Sequence, residues 1–139
     1  VDAHCDTWGP FKGSKFHHGA PFRLAVEDGL LDPRRTIQIG IRGGQNTTDT
    51  WDWSEQAGMR VVYIEEFEDL GVEGVIAEAR RVVGDGPTYI TFDVDGLDPV
   101  YAPGTGGVAP VRPVGQHRAG GRHHHVQAAV PAGRIPGQG

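Results

Sequence analysis

The chain has 139 residues, of which 37% are hydrophobic, and this share is enough for one modest core and excludes a chain that is disordered throughout. Thirteen Lys and Arg against 18 Asp and Glu give a net charge of −5, which argues against a nucleic acid or an anionic membrane as a partner held by bulk charge. No apolar run approaches the roughly 20 residues that span a bilayer, and the single cysteine, Cys5, fits a reducing compartment, so we expect a cytoplasmic protein.

The composition changes sharply along the chain. All 18 acidic residues lie in residues 1–101, which carry a net charge of −9, whereas residues 102–139 hold four Arg and no acid. This last part also holds nine of the 22 Gly and five of the 10 Pro. Such a segment cannot bury enough apolar surface to offset its conformational entropy. We therefore expect the domain to end at residue 106, and residues 107–139 to form a disordered tail rich in Gly, Pro, Arg and His.

The first half of the domain alternates between helical and extended patterns. Residues 21–31 begin with proline, which favours the first turn of a helix. Residues 36–41 are β-branched and apolar, as is typical of a buried strand. Residues 43–54 are polar and carry two of the three Trp, which predicts a surface loop.

The second half repeats the alternation. Residues 60–64 predict a second strand and residues 88–92 a third, and between them the apolar positions of residues 72–83 follow one face of a helix. Gly84 then ends this helix. Short strands separated by helices predict an α/β fold with a mainly parallel sheet. In such sheets the functional residues lie just beyond the carboxyl ends of the strands.

Two motifs place acidic side chains at such positions. Asp2, His4 and Asp6 follow one another at a spacing of two, which puts all three on one face of an extended segment. Asp93 and Asp95 repeat this spacing after the third predicted strand. Four carboxylates beside an imidazole are unfavourable without a cation, and this oxygen-rich set suits Mn²⁺ or a similar hard divalent metal. The number of carboxylates indicates a two-metal site.

Local structure offers a plainer interpretation of the second motif. Asp-x-Asp-Gly, here residues 93–96, is common in turns for purely local reasons, although an EF-hand loop is excluded because Gly96 directly follows the second Asp. Cys5 lies between two ligand candidates and, by strand alternation, points away from them. We interpret it as a small buried residue and not as a nucleophile.

Several segments, in order along the chain, resemble the ureohydrolase family, which comprises arginases, agmatinases and related guanidino-acid hydrolases. They are DAHCD at 2–6, KFHHGAPFR at 15–23, QIGIRG at 38–43 and FDVDGLDP at 92–99. The residues of these segments are more similar to the agmatinase and guanidino-acid branch than to arginase. The resemblance implies a three-layer, parallel-sheet, arginase-like α/β fold, of which residues 1–106 would be the central part, incomplete at both ends.

The resemblance also implies a chemistry. Two Mn²⁺ ions would support hydrolysis of a guanidino compound, agmatine or a guanidino acid, to urea and an amine, through attack of a metal-bridging hydroxide on the guanidinium carbon. In the family pattern Asp2 and Asp93 would bridge the ions, Asp6 would complete one site, and His4 and Asp95 would complete the other.

The resemblance assigns the proton transfer to a histidine. His18 matches the family's active-site histidine, which would pass a proton to the leaving amine. Its neighbour His17 has no such assignment, and we expect it to be a solvated loop residue. The implied substrate is a small guanidino compound, and the family commonly forms trimers or hexamers, so a homo-oligomer is implied as well.

The chain departs from the family pattern at both ends. It holds no Gly-Gly-Asp-His segment, which in the family supplies a further histidine ligand, and no counterpart of the late glutamate that holds the guanidinium. We therefore expect little urea release from this chain alone, and residues 107–139 could be an out-of-frame translation instead of a disordered tail. Two other functions stay open: a single-zinc amide hydrolase or deacetylase of related fold, and an inactive fragment of a ureohydrolase.

Overall fold

The computed structural model describes residues 1–43 and 49–105. The tail predicted over residues 107–139 and part of the loop predicted over residues 43–54 lie outside these ranges. In the part of the chain that the structure describes, no helix is both long and apolar enough to cross a membrane.

The first helix, α1 (Pro21–Glu27), begins with proline, whose fixed φ suits a first helical turn and whose missing N–H is not needed there. The helix ends four residues earlier than the sequence predicts. Gly29 adopts a left-handed φ of 71° just after it, which breaks the helical path. The N–H groups of Leu30 and Leu31 then donate to the Ala25 carbonyl at 2.8 and 3.1 Å, and these bonds close the end of the helix.

Two strands pair in parallel, β1 (Ile37–Ile41) and β2 (Arg60–Tyr63), and each matches its predicted strand to within one residue. The register shifts between Ile39 and Ile41, where Gly40 has a φ of 92°. This bulge changes the alternation of side chains along the strand. Ile39 and Ile41, two positions apart, consequently pack in different core clusters.

The third predicted strand, over residues 88–92, is not a regular strand in the structure. Its end lies beside Val1, whose ammonium group donates to the Thr91 carbonyl at 2.9 Å and whose carbonyl accepts the Asp93 N–H at 2.9 Å. The prediction of a strand is therefore wrong, because two hydrogen bonds to one residue do not make a ladder. The segment nevertheless delivers the second acidic motif to the edge of the sheet where the first one lies.

Helix α2 (Asp49–Ala57) occupies positions for which the polar sequence predicts a surface loop, so that prediction is wrong over the described part of the loop. Trp51 of this helix packs against a buried cluster of Cys5, Ile41 and Val61. Tertiary packing of this kind is what stabilises most short helices, and it compensates here for the polar composition.

Helix α3 (Ile64–Val83) begins directly after β2 and contains the helix predicted over residues 72–83. Gly71, with φ 64° and ψ 177°, kinks it between two helical parts. Val75 packs with Ile39 and Val62 in the second core cluster. Because Val62 and the neighbouring Val61 of β2 point to opposite faces of the sheet, α3 covers one face and α2 the other. The predicted three-layer α/β arrangement is confirmed for the described residues.

Candidate metal centre

The first acidic motif runs alongside the carboxyl end of β1. The Asp2 N–H donates to the Ile39 carbonyl at 3.1 Å, and the Gly43 N–H donates to the Ala3 carbonyl at 2.7 Å. Position 43 accommodates no side chain, since a Cβ there would overlap the ring of His4. The bulged end of β1 thus fixes the backbone from which the ligand candidates project.

The second acidic motif forms a tight turn held by its own first carboxylate. Oδ1 of Asp93 accepts the Asp95 N–H at 2.9 Å, and residues Val94–Gly96 make one turn of 3-10 helix. This turn directs the Asp95 side chain towards the first motif, where its Oδ1 accepts the Ala3 N–H at 3.2 Å. The two motifs, far apart in sequence, are therefore joined through a side chain and a backbone amide.

Three ligand-type side chains meet where the motifs touch. Nδ1 of His4 lies 2.9 Å from Oδ2 of Asp95 and 3.7 Å from Oδ1 of Asp2. One ligand atom from each of the three lies within 4.8 Å of the other two. Asp2 and Asp95 are buried and His4 is half-buried. Two carboxylates and an imidazole at this spacing are a donor set that fits a hard divalent cation such as Mn²⁺.

The electrostatics of the cluster favour the same conclusion. Burial, with smaller contributions from the nearby Asp6 and Asp95, raises the pKa of Asp2 to about 8, although the His4 N–H, which donates to Asp2 at 2.7 Å, opposes the rise. Burial also raises the pKa of Asp6, against the influence of His4. Carboxylates that are difficult to ionise together become easy to ionise when a divalent cation lies among them.

The other predicted site residues surround this cluster. Asp6 is half-buried, has a left-handed φ of 52°, and its carboxyl group senses the charges of Asp93 and His18. Asp93 is exposed and its carboxylate caps the turn before Asp95. His18 is exposed, and its ring centroid lies 6.4 Å from that of Trp8. The metal-ligand roles of the five acidic and histidine candidates and the catalytic role of His18 stay predictions.

The expectation that His17 is merely solvated is wrong. Its ring is half-buried, Nδ1 accepts the Gly19 N–H at 3.3 Å, and Nε2 lies 2.9 Å from the Gly9 carbonyl oxygen. Because Nδ1 accepts a hydrogen bond, the proton of the neutral ring lies on Nε2, which donates to the Gly9 carbonyl. His17 therefore links the two ends of the loop that carries His18, and the sequence gives no signal for these contacts.

Two more residues of the site are absent from the sequence-based prediction. Gln38, a buried polar residue in the otherwise apolar β1, donates from Nε2 to the Cys5 carbonyl at 2.6 Å. Its polarity within an apolar strand is the signal that could have identified it. Arg42, directly after β1, donates from its guanidinium to the turn that carries Asp95. Cys5 itself is buried as predicted, and burial raises the pKa of its thiol to about 12.

Residues 1–111 match the sequence model of the Arginase family. The chain belongs to the arginase family, and its resemblance to ureohydrolases of the agmatinase and guanidino-acid branch is confirmed. It is 58% identical over 106 residues to guanidinopropionase of Pseudomonas aeruginosa, a match that covers 76% of this chain and 33% of that protein. It is 49% identical over 106 residues to the mitochondrial agmatinase of Gallus gallus, covering 76% of this chain and 31% of the relative.

The solved structures agree with the sequences. Proclavaminate amidinohydrolase from Streptomyces clavuligerus superimposes with a TM-score of 0.74 at 46% identity, over 78% of this chain and 36% of that one. The predicted arginase-like α/β fold is thereby confirmed. The chain spans about one third of the length of the relatives that it matches.

Proposed function

We propose that this chain carries the metal centre of a manganese-dependent ureohydrolase, which hydrolyses a guanidino compound to urea and an amine. The observation that carries the proposal is the meeting of Asp2, His4 and Asp95, whose ligand atoms lie within 4.8 Å of one another although they come from two distant segments. Membership of the arginase family supplies the reaction class.

In this proposal Asp2, His4 and Asp95 hold one Mn²⁺, and Asp6 and Asp93 at the border of the cluster contribute to a second. When bound, the metal supplies Lewis-acid activation of water, which makes a nucleophile available near neutral pH. The buried carboxylates would orient that water, because backbone amides fix them: the Ala3 N–H of the opposite motif holds Asp95, and the His4 N–H of its own motif holds Asp2.

His18 supplies the proton for the leaving amine. Its ring is exposed on the loop before α1 and lies within electrostatic reach of the Asp6 carboxyl group. An imidazole can both donate and accept a proton, so it can deliver and regain one in each cycle. The contacts of His17 with Gly9 and Gly19 hold the two ends of this loop together.

The substrate in this proposal is a linear guanidino compound. The relatives named guanidinopropionase, guanidinobutyrase and agmatinase share 58%, 48% and 49% identity with the chain. We place a guanidino acid, with 3-guanidinopropionate first, ahead of agmatine because the identity to guanidinopropionase exceeds the other two by about ten percentage points.

The metal part of the proposal is tested by titrating the 139-residue chain with Mn²⁺ and following free Mn²⁺ by electron paramagnetic resonance. We expect saturable binding that is lost in Asp2→Asn and in Asp95→Asn, and retained in Asp69→Asn, a matched change on the exposed surface of α3. Equal binding by all four proteins would contradict the proposal, as would one bound Zn²⁺ with acetate release from an acetylated amine.

The hydrolytic part is tested in a complete enzyme. Residues 1–105 replace the matching segment of the Pseudomonas guanidinopropionase, with which the chain shares 58% identity. The chimera is expected to release urea from 3-guanidinopropionate with Mn²⁺, and its Asp95→Asn variant is expected to release none. A folded chimera that releases no urea from 3-guanidinopropionate, 4-guanidinobutyrate or agmatine would overturn this part.

A further inference from the structure

Arg42, directly after β1, donates hydrogen bonds to four backbone carbonyls. Its Nη1 donates to the carbonyls of Gly40 and Gly96 at 3.0 and 3.3 Å. Its Nη2 donates to the carbonyls of Asp95 and Leu97 at 2.9 Å each. One guanidinium thus ties the bulge of β1 to three consecutive residues of the second acidic turn.

These contacts act on the backbone that carries a ligand candidate. The Asp95 carbonyl is held by Arg42, while the Asp95 carboxylate accepts the Ala3 N–H at 3.2 Å and lies 2.9 Å from Nδ1 of His4. Residue 95 is therefore fixed from both ends, with one contact on its main chain and the others on its side chain. The planar guanidinium presents several N–H groups in a rigid fork, which is what a row of carbonyls requires.

We propose that Arg42 is a positioning residue of the metal centre: it holds the turn that presents Asp95, and so sets the affinity for the metal without contacting it. The proposal rests on the proposed function, because it assumes that the cluster binds a divalent cation. Outer contacts that orient a ligand commonly change metal affinity about 10- to 100-fold. An ordinary stabilising contact would change the stability of the chain and leave that affinity in place.

The chain offers a matched control at the opposite end of the same strand. Arg35, just before β1, donates from Nε and Nη2 to the Val83 carbonyl at 2.9 and 2.7 Å. It also donates from Nη2 to the Pro87 carbonyl at 3.4 Å. Arg35 thus contacts the beginning of residues 83–97, and Arg42 contacts their end. Arg35 lies at the end of β1 that is away from the acidic cluster.

The test compares Mn²⁺ affinity in the 139-residue wild type and in the variants Arg42→Ala, Arg42→Lys and Arg35→Ala, with circular dichroism to confirm that each is folded. We expect Arg42→Ala to weaken Mn²⁺ binding about 10- to 100-fold and Arg35→Ala to leave it unchanged. Arg42→Lys keeps the charge but donates from a single point, so its binding is expected to stay weaker than that of the wild type. Wild-type affinity in Arg42→Lys, or an equal loss in Arg35→Ala, would overturn the proposal.

A second measurement needs no metal. The N–H groups of Gly96 and Leu97 donate within the turn to the carbonyls of Asp93 and Val94 at 3.0 and 3.2 Å. In the metal-free chain, Arg42→Ala should speed hydrogen exchange at these two amides at least several-fold while the amides of β2 keep their rates. Unchanged exchange would refute the role of Arg42, whereas a wild type that binds no Mn²⁺ would refute the metal centre and, with it, the effect of Arg42 on affinity.

Discussion

The two faces of the sheet are built differently. Under α3 the core consists of Ile39, Val62 and Val75, all apolar. Under α2 the core of Cys5, Ile41 and Val61 adjoins buried polar side chains, of which Thr7 donates to the Thr50 carbonyl at 2.9 Å and lies 2.8 Å from the Ser54 hydroxyl. The apolar face supplies stability through burial, which is not directional, whereas the polar face supplies hydrogen bonds, which are.

This difference matters because the first acidic motif belongs to the polar face. Cys5 lies in its core, and Thr7 follows Asp6 directly. Hydroxyl contacts to α2 therefore set the direction of the segment that carries the ligand candidates. We infer that damage to the α3 face lowers stability with little effect on metal binding, and that damage to the α2 face affects both.

The largest effect is expected from pH, at the charged end of the polar face. Burial raises the pKa of Asp2 to about 8 from an ordinary value of 3.8, so between these values the folded chain holds a proton that the unfolded chain has lost. The stability of the metal-free chain should accordingly fall as pH rises from about 4 to 8. Thermal unfolding across this range is expected to show the fall, and Asp2→Asn to flatten it. A slope that Asp2→Asn leaves unchanged would assign the effect to another group.

Next in size is the loss of packing on the apolar face. Val75 is fully buried, and Val75→Ala removes two methyl groups from the apolar cluster of Ile39, Val62 and Val75. The free energy of unfolding is expected to fall by about 2 kcal/mol, with Mn²⁺ affinity unchanged. Denaturant titration measures the first and Mn²⁺ titration the second. Val100→Ala, at an exposed position, is the control and should change neither.

The polar face gives a smaller loss of stability but a change in binding. Thr7→Val removes both hydroxyl contacts of a fully buried residue, for an expected cost of about 1–2 kcal/mol and weaker Mn²⁺ binding. Thr50→Val is the matched variant, because the Thr50 hydroxyl finds no hydrogen-bond partner in the described structure and its removal should be neutral or stabilising. If Thr7→Val and Thr50→Val changed stability and Mn²⁺ binding equally, the hydrogen bonds of Thr7 would not be what distinguishes this face from the apolar one.

Strands β1 and β2 and the second part of α3 could be predicted from the sequence, because their apolar patterns show both the period and the buried side. The apolar pattern of residues 88–92 predicts a strand that the structure does not form. Helix α2 could not, since Trp51 stabilises it by reaching a core whose existence its own polar sequence does not reveal. The candidate ligands Asp2, His4 and Asp95 could be proposed because ligand chemistry is carried by residue type. The contacts of Arg42 could not, since they depend on which turn the bulge at Gly40 brings within reach.

The smallest effect is expected at the solvent-accessible rim of the α3 face, where the pKa of a carboxyl group is lowered instead of raised. Oε1 of Glu78 lies 2.8 Å from Nε of Arg60 and Oε2 lies 2.7 Å from Nε of Arg81, and hydrogen bonds from Arg81 and Arg60 lower the pKa of Glu78 to about 2. Any stability from this cluster is present above the ordinary pKa of 4.5 and is lost as pH falls towards 2.

Because solvent reaches this cluster, Glu78→Gln should lower the free energy of unfolding by less than about 1 kcal/mol at neutral pH, and by less still in high salt. Denaturant titrations at two salt concentrations measure both, and a salt-independent loss above that limit would show that the rim contributes to the core of this face.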